Sequence, residues 1–322
     1  MDQAENEVIS ITADEAELRL DKILANRYRG WYSRSYFQAL IQDNHVTVNG
    51  APVKKRVRAE FGDQVKIFFV PPPEIDLAPE PIPLTIIYED EDLLVVNKSA
   101  GMVIHPAPGN WSGTFVNALL HHTKSLPSDS PQRPGIVHRL DKETTGVLIA
   151  AKTTIAQERL TALFAKREIY KEYWAICLGN PGEGEMTLPI GRHPVLRKQM
   201  TVKEGGRPAK TQYKTLAFNG IFSLVKVVPT TGRTHQIRVH MKNRGHPILG
   251  DAVYGSCSEN LRYQVCRQFL HAKCLRFNHP ITGEFVEFFA DLPEDMGGFI
   301  LKEALLPNET CLSESENSKS CG

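Results

Sequence analysis

The stretch GIVHRLDKETTG, Gly135 to Gly146, sets Asp141 among basic residues (His138, Arg139, Lys142) just ahead of a β-branched run. A carboxylate so placed can act as a nucleophile or as a general base. An Asp beside an Arg in a turn equally makes an ordinary surface ion pair, and His-Arg-Leu-Asp alone does not decide between the two. Other chemistries lack their motifs. There is no GxxxxGK[ST] loop to cradle phosphates, and no GxGxxG follows a strand; KEGGRP fits a turn. A GxSxG elbow is absent, as is an HxE paired with PCxxC. The six cysteines are too sparse for a disulfide scaffold and form no CxxC pair. Cys257, Cys266, His271, Cys274 and His279 cluster in sequence, but their spacings fit no common zinc frame, so reduced, inert thiols and no metal are expected.

These residues must be held by a folded scaffold, and composition supports one. Of 322 residues 41% are hydrophobic and 23% charged, which excludes wholesale disorder and fibrous architectures. At about 150 residues per domain the length predicts two domains. No run approaches the roughly 18 apolar residues of a membrane span. The opening MDQAENEVIS is acidic and lacks a signal peptide's basic-then-apolar layout, so a cytoplasmic location and no membrane contact are expected. A monomer is expected because coiled-coil heptads are missing.

The net charge of +1 hides a strong asymmetry. Arg19 to Arg58 carries nine basic residues against Asp21 and Asp43, whereas Pro71 to Asp92 carries seven acidic residues and no basic one. A charge run is usually a solvated face, but clustering inside one small foldable segment points to a polyanion partner. In that segment Leu20, Ile23, Leu24 and Tyr28 recur at helical spacing over Arg19 to Arg29. Ser33 stands where an N-cap belongs, ahead of Tyr36, Phe37, Leu40 and Ile41 on one helical face. VTVNGAPV alternates around Asn49-Gly50, a hairpin signal, and QVKIFFV supplies a last strand.

This order of two helices and a basic hairpin resembles the S-four-type RNA-binding module, carried by RLDKIL, SRSYFQALIQDNHVTVNG, KKRVR and GDQVKI. The resemblance implies RNA phosphate contacts at Arg34, Lys54, Lys55 and Arg56. The expected organisation is an acidic segment over 1–16, the RNA-binding domain over 17–70, a proline-rich acidic linker over 71–83, a catalytic domain over 84–305 and a disordered tail over 306–322. In the catalytic domain LTIIYE, LLVVNK, GVLIAAKT, EYWAICLG and SLVKVVPT read as strands. Thr114 to His121, Ile155 to Ala165 and Thr234 to Asn243 read as helices. The mixture predicts an α+β fold with a large mixed, mainly antiparallel sheet.

GIVHRLDKETTG also resembles the signature of the RluA family of pseudouridine synthases, and the family's other blocks follow in order. They are LLVVNKSAGMVIHP, YKEYWA, TGRTHQIRVHM, GDAVYG and LHAKCLRFNHPITG, so the likeness spans roughly Leu84 to Leu301. APGNWSGTFVNAL and the amino-terminal module are most similar to the RluD-type enzymes of large-subunit ribosomal RNA. Ser99 replaces the usual proline of NKP, and Thr145 replaces the commoner serine. The implied reaction breaks the N1–C1′ bond of uridine and joins carbon 5 to C1′, without redox change, metal or cofactor. The resemblance makes Asp141 the carboxylate, as nucleophile at the sugar or as base on C2′. It makes Arg238 the ion-pair partner that keeps Asp141 charged, because burial alone would neutralise a carboxylate. The resemblance further implies that Tyr173 packs on the uracil, that Arg139 fills the gap left by the flipped nucleotide, and that Lys98 and Lys171 contact substrate.

Arg233 and His235 are expected to shape the cleft without chemistry, and His105, His138, His271 and His279 to serve the fold or line RNA. The expected partner is large-subunit ribosomal RNA, free or within a pre-ribosomal particle. Two alternatives stay open at this point: a non-catalytic RNA-binding or ribosome-assembly factor, and the same chemistry on transfer RNA.

Overall fold

The computed structural model describes residues 6–28, 32, 34–54, 56–70, 77–106, 110–123, 126–127, 134–196 and 199–307. Ser33, Lys55, Pro71 to Pro73 and residues 308–322, on which several sequence expectations fall, lie outside them. The chain divides into two compact units between Asp76 and Leu77.

The first unit runs β1 (Asn6–Ser10), α1 (Leu20–Arg27), α2 (Arg34–Gln42), β2 (Val46–Val48), β3 (Ala51–Pro52) and β4 (Gln64–Phe68). Its antiparallel sheet has the order β1-β4-β2-β3. Asn49 and Gly50 take φ of +50° and +81°, the left-handed pair that a two-residue hairpin requires. Leu20, Ile23 and Leu24 of α1 and Phe37, Leu40 and Ile41 of α2 close the core over Val46, Val65 and Ile67. Strand β1 corrects the sequence reading, which treated residues 1–16 as an acidic lead. Asn6 to Ser10 pair with Phe68 to Gln64, and Ile9 and Ile11 are buried. Two apolar residues give no readable alternation; the partner strand, more than fifty residues away, decides the structure.

The second unit contains β5 (Ile86–Glu89), β6 (Leu93–Lys98), α3 (Phe115–His122), β7 (Thr145–Ala151), α4 (Thr154–Lys166), β8 (Tyr170–Leu178), β9 (Glu183–Thr187), β10 (Ile190–Arg192), β11 (Met200–Val202), β12 (Lys210–Phe218), β13 (Phe222–Pro229), α5 (Gln236–Asn243), α6 (Cys257–Arg262), β14 (Leu270–Asn278), β15 (Phe285–Phe289) and α7 (Glu294–Lys302). Nine strands form one mixed sheet, β5-β6-β7-β14-β8-β13-β12-β9, with β15 on the far half of β14; every pairing is antiparallel except β7 with β14. Both sheet faces are covered. Val147 and Ile149 pack with Ala156 and Leu160 of α4, while Leu148 and Ala150 pack with Phe115 and Leu119 of α3. Burial on two faces explains why LLVVNK and GVLIAA read as continuous apolar runs.

A second difference concerns the proline-rich bridge. Its latter part is bonded to α3 and its N-terminal turn: Asn117 Nδ2 donates to Ala78 O at 2.8 Å, and Gly113 N donates to the Glu80 carboxylate at 3.0 Å. Leu77 to Pro83, the latter part of the linker expected over 71–83, is therefore a strap on the second unit. Prolines suit it because they fix an extended path and need no backbone donor partner.

Candidate active site

The parallel β7–β14 pairing creates the site. It spans only His271↔Thr145 and Ala272↔Gly146, and Ala272 also faces Tyr173 across the β14–β8 ladder. The loop that precedes β7, with Asp141, thereby comes beside Tyr173. Gly146 makes the approach possible: its φ is +111°, and a Cβ there would stand 2.2 Å from Ala272 O. At the same junction Thr145 Oγ1 lies 2.8 Å from His271 Nδ1, while His271 Nε2 reaches Ala290 O at 3.2 Å. The carbonyl can only accept, so Nε2 carries the proton and the Thr145 hydroxyl donates to Nδ1.

The Asp141 loop is fixed from behind. Thr144 N donates to Asp141 O at 3.0 Å. Lys98, 1% exposed, gives its three protons to Ser99 O at 2.7 Å, Met102 O at 3.0 Å and Lys142 O at 3.0 Å. Burial lowers its ammonium to about 8. This corrects the expectation that Lys98 contacts substrate. An ammonium has three donors and all three are taken by backbone carbonyls, so Lys98 positions the loop. His138 works similarly: its Nε2 accepts from Ile149 N at 2.9 Å, its ring stacks on Phe164, and burial lowers it to about 3.

Arg238, on α5, carries the electrostatics. Its Nη1 donates to Asp141 Oδ2 at 2.9 Å, and its Nε and Nη2 donate to Asp251 Oδ2 and Oδ1 at 2.7 and 2.9 Å. Asp251 is 1% exposed and also accepts from Val253 N and Tyr254 N, both at 2.9 Å. Burial alone would raise the Asp251 carboxyl; the Arg238 bonds overcome that and hold it below its ordinary value. Arg238 is buried too, yet Asp251 and Asp141 hold its guanidinium charged, above its ordinary value. The α5 entry is locked by Gln236, whose side chain bonds Thr231, Arg233 N, Lys210 O and Thr211.

His235 precedes α5 in a left-handed conformation, φ +56°. Its Nδ1 lies 2.8 Å from Tyr254 Oη, which accepts from Met200 N at 2.7 Å. The Met200 N–H can only donate, so the phenol oxygen accepts there while it also holds the His235 ring. The other ring nitrogen, Nε2, is 3.9 Å from Asp141 Oδ2. Burial lowers the imidazole below its ordinary value.

These groups open on a cleft of about 440 Å³, within the range of small-molecule sites. It is lined by Asp141, Tyr173, Arg139, Lys171 and Arg238 among others, which brings together five of the six residues expected at the reaction site; Lys98 is the one left out. Arg139 is exposed, and Lys171 is lowered by burial and then by Arg167. Burial raises the partly covered Tyr173 phenol well above the usual range, so it offers a neutral aromatic face. Such a cleft can receive a planar base against the ring and present a fixed carboxylate to the attached sugar.

Asp251 and Tyr254 were assigned no role from sequence. Two signals were present: both lie in the GDAVYG block, and Asp251 is the single carboxylate between Glu204 and Glu259, a stretch with eight Lys and Arg residues. In the first unit, Lys54 and Arg56 are exposed. Arg34 is half engaged: its Nε donates to the buried Asp21 at 3.0 Å, beside a two-pronged Arg19–Asp21 pair.

The sequence profile described as RNA pseudouridylate synthase matches residues 92–243, and that of the S4 domain matches residues 18–65. The chain is 44% identical over 297 residues to an uncharacterized RNA pseudouridine synthase of Bacillus subtilis (strain 168), covering 91% of this chain and 97% of the relative. It is 42% identical over 303 residues to ribosomal large subunit pseudouridine synthase D of Escherichia coli (strain K12), covering 89% and 92%. Among solved structures, human RNA pseudouridylate synthase domain containing 4 is similar with a TM-score of 0.55 and 26% identity, over 70% of this chain and 95% of that one.

Proposed function

The chain belongs to the RNA pseudouridine synthase family, and from that premise we propose that it isomerises uridine in large-subunit ribosomal RNA with Asp141 as the reacting carboxylate. The observation that carries the reading is the Asp141–Arg238–Asp251 chain at the edge of the cleft. A cation that a second, buried anion holds in place fixes the direction of the carboxylate bonded to it. Asp141 attacks C1′ or takes a proton from C2′; either route releases N1 of the base without an oxidant. The base turns, its carbon 5 bonds to C1′, and the carbon 5 proton leaves while N1 gains one. The Tyr173 face supports the detached ring, since base–aromatic stacking offsets roughly 1–3 kcal/mol of the unstacking cost. Arg139 fills the vacated place in the RNA stack, and Lys171 contacts substrate phosphate or base.

The large-subunit substrate is supported by the names of the relatives and by the S4 domain, in which Lys54 and Arg56, just after β3, are exposed to meet RNA phosphates. The test is tritium release from RNA labelled at uracil carbon 5, comparing wild type with Asp141→Asn on a large-subunit ribosomal RNA transcript and on bulk transfer RNA. Release from the ribosomal transcript by wild type alone is expected. Release from transfer RNA only would overturn the substrate, and full release by Asp141→Asn would overturn the carboxylate.

A further inference from the structure

The cleft holds more positive charge than the isomerisation uses. Arg139, Arg167, Lys171 and Arg233 all line it, and among the described residues none of the four is paired with a carboxylate. Arg207 stands next to this lining: Arg233 Nε donates to Pro208 O at 3.1 Å, which ties the Arg233 side chain to the residue after Arg207. Burial, then Arg207 and Arg167, lower Arg233 below its ordinary value. Like charges so crowded lack only an anion to complete them.

Arg167 occupies a position that sequence rules give to glycine. It ends α4 at φ +65°, with its N–H donating to Phe164 O at 3.2 Å and the Glu168 N–H donating to Leu163 O at 3.0 Å. This is the left-handed helix end at which a Cβ is a burden. Asn44, Gln264 and Ala304 close other helices in the same way, but Arg167 is the one of these that lines the cleft.

We propose that Arg167, Arg207 and Arg233 form a clamp for an RNA phosphodiester beside the uridine whose base enters the cleft. The backbone of a flipped nucleotide is continuous with the strand on both sides, so its phosphates stay at the mouth while the base goes in. The clamp positions the strand and does no chemistry. It rests on RNA being the substrate, which the family supplies.

The experiment uses the full chain, Arg167→Gly and Arg207→Gln, and a large-subunit ribosomal RNA transcript. Salt-dependent binding, KM and kcat for tritium release, and thermal midpoint are measured for each protein. Arg167→Gly relieves the left-handed strain, so its thermal midpoint should match or exceed wild type. Its KM should rise about tenfold, as for removal of a charge-assisted hydrogen bond, with a smaller change in kcat. Its slope of log affinity against log salt should fall by roughly 0.7–0.9, the share of one neutralised phosphate. Arg207→Gln should move KM and slope in the same directions. An unchanged slope and KM in both variants would overturn the clamp, as would a lower midpoint without a change in binding, the mark of a purely structural cap. If wild type releases no tritium from this transcript, the large-subunit reading fails, and the slopes measured on the same RNA still judge the clamp.

Discussion

Arg238 reaches Asp141 with the one nitrogen that Asp251 leaves free: Nη1 stands 2.9 Å from Asp141 Oδ2, while Nε and Nη2 are both held by Asp251. The Asp141 carboxylate is oriented through a cation whose own orientation is set from the protein interior.

Asp251→Asn tests that arrangement. It leaves a buried guanidinium short of its main partner, and breaking one side of a buried pair costs about 3–5 kcal/mol. Urea unfolding should show a loss of that order. Tritium release should fall at least about tenfold, because Arg238 loses its two-point anchor. Full activity in a folded Asp251→Asn protein would show that Asp141 is aimed by something else.

Lys98→Met keeps the length of the side chain and removes its charge. The carbonyls of Ser99 and Met102 then lose the Lys98 donor, and Lys142 O keeps only the Gly101 N–H. A lost hydrogen bond to a charged donor costs about 1.5–3 kcal/mol, less whatever water and local relaxation recover at these part-buried carbonyls. The variant should unfold at lower urea and show a reduced kcat, while the salt slope of RNA binding stays at the wild-type value. A changed slope would return Lys98 to the substrate surface.

Acid should weaken the fold through its buried histidines. His138 and His271 are lowered to about 3 and about 4, both chiefly by burial, against about 6.5 in the unfolded chain. Below pH 6.5 the unfolded state binds protons that the native state refuses, so stability is full above that pH and declines as pH falls. The slope approaches about 1.4 kcal/mol per pH unit for each histidine. Urea unfolding between pH 7 and 5 should show it, and His138→Gln should remove about one proton from the difference. A wild-type stability flat across that range would contradict the neutral assignments.

Neutralising Lys54, Lys55 and Arg56 should weaken binding to the ribosomal transcript. The salt slope should fall by roughly 0.7–0.9 for each phosphate that no longer has a cation beside it. Thermal unfolding should change little, since Lys54 and Arg56 are exposed. An unchanged slope would place the RNA on another surface.

What the sequence determined alone was local. The helices around Leu20–Arg27, Phe115–His122 and Thr154–Lys166, the Asn49-Gly50 hairpin and five of the nine strands of the large sheet (β5, β6, β7, β8 and β13) were legible because periodicity and turn chemistry act over a few residues. The ordered motifs around Asp141, Tyr173 and Arg238 were legible as a resemblance. Tertiary structure decided whatever depends on distant partners. Asn6–Ser10 becomes a strand only because Gln64–Phe68 offers an edge. Lys98 turns from the cleft because three carbonyls from two separate loops converge on it. Asp251, a lone acid with no periodic signature, becomes the anchor of the site because the fold sets it against Arg238. Long-range pairings leave no trace in local spacing, since the chain between the partners can be of any length while the geometry where they meet stays the same.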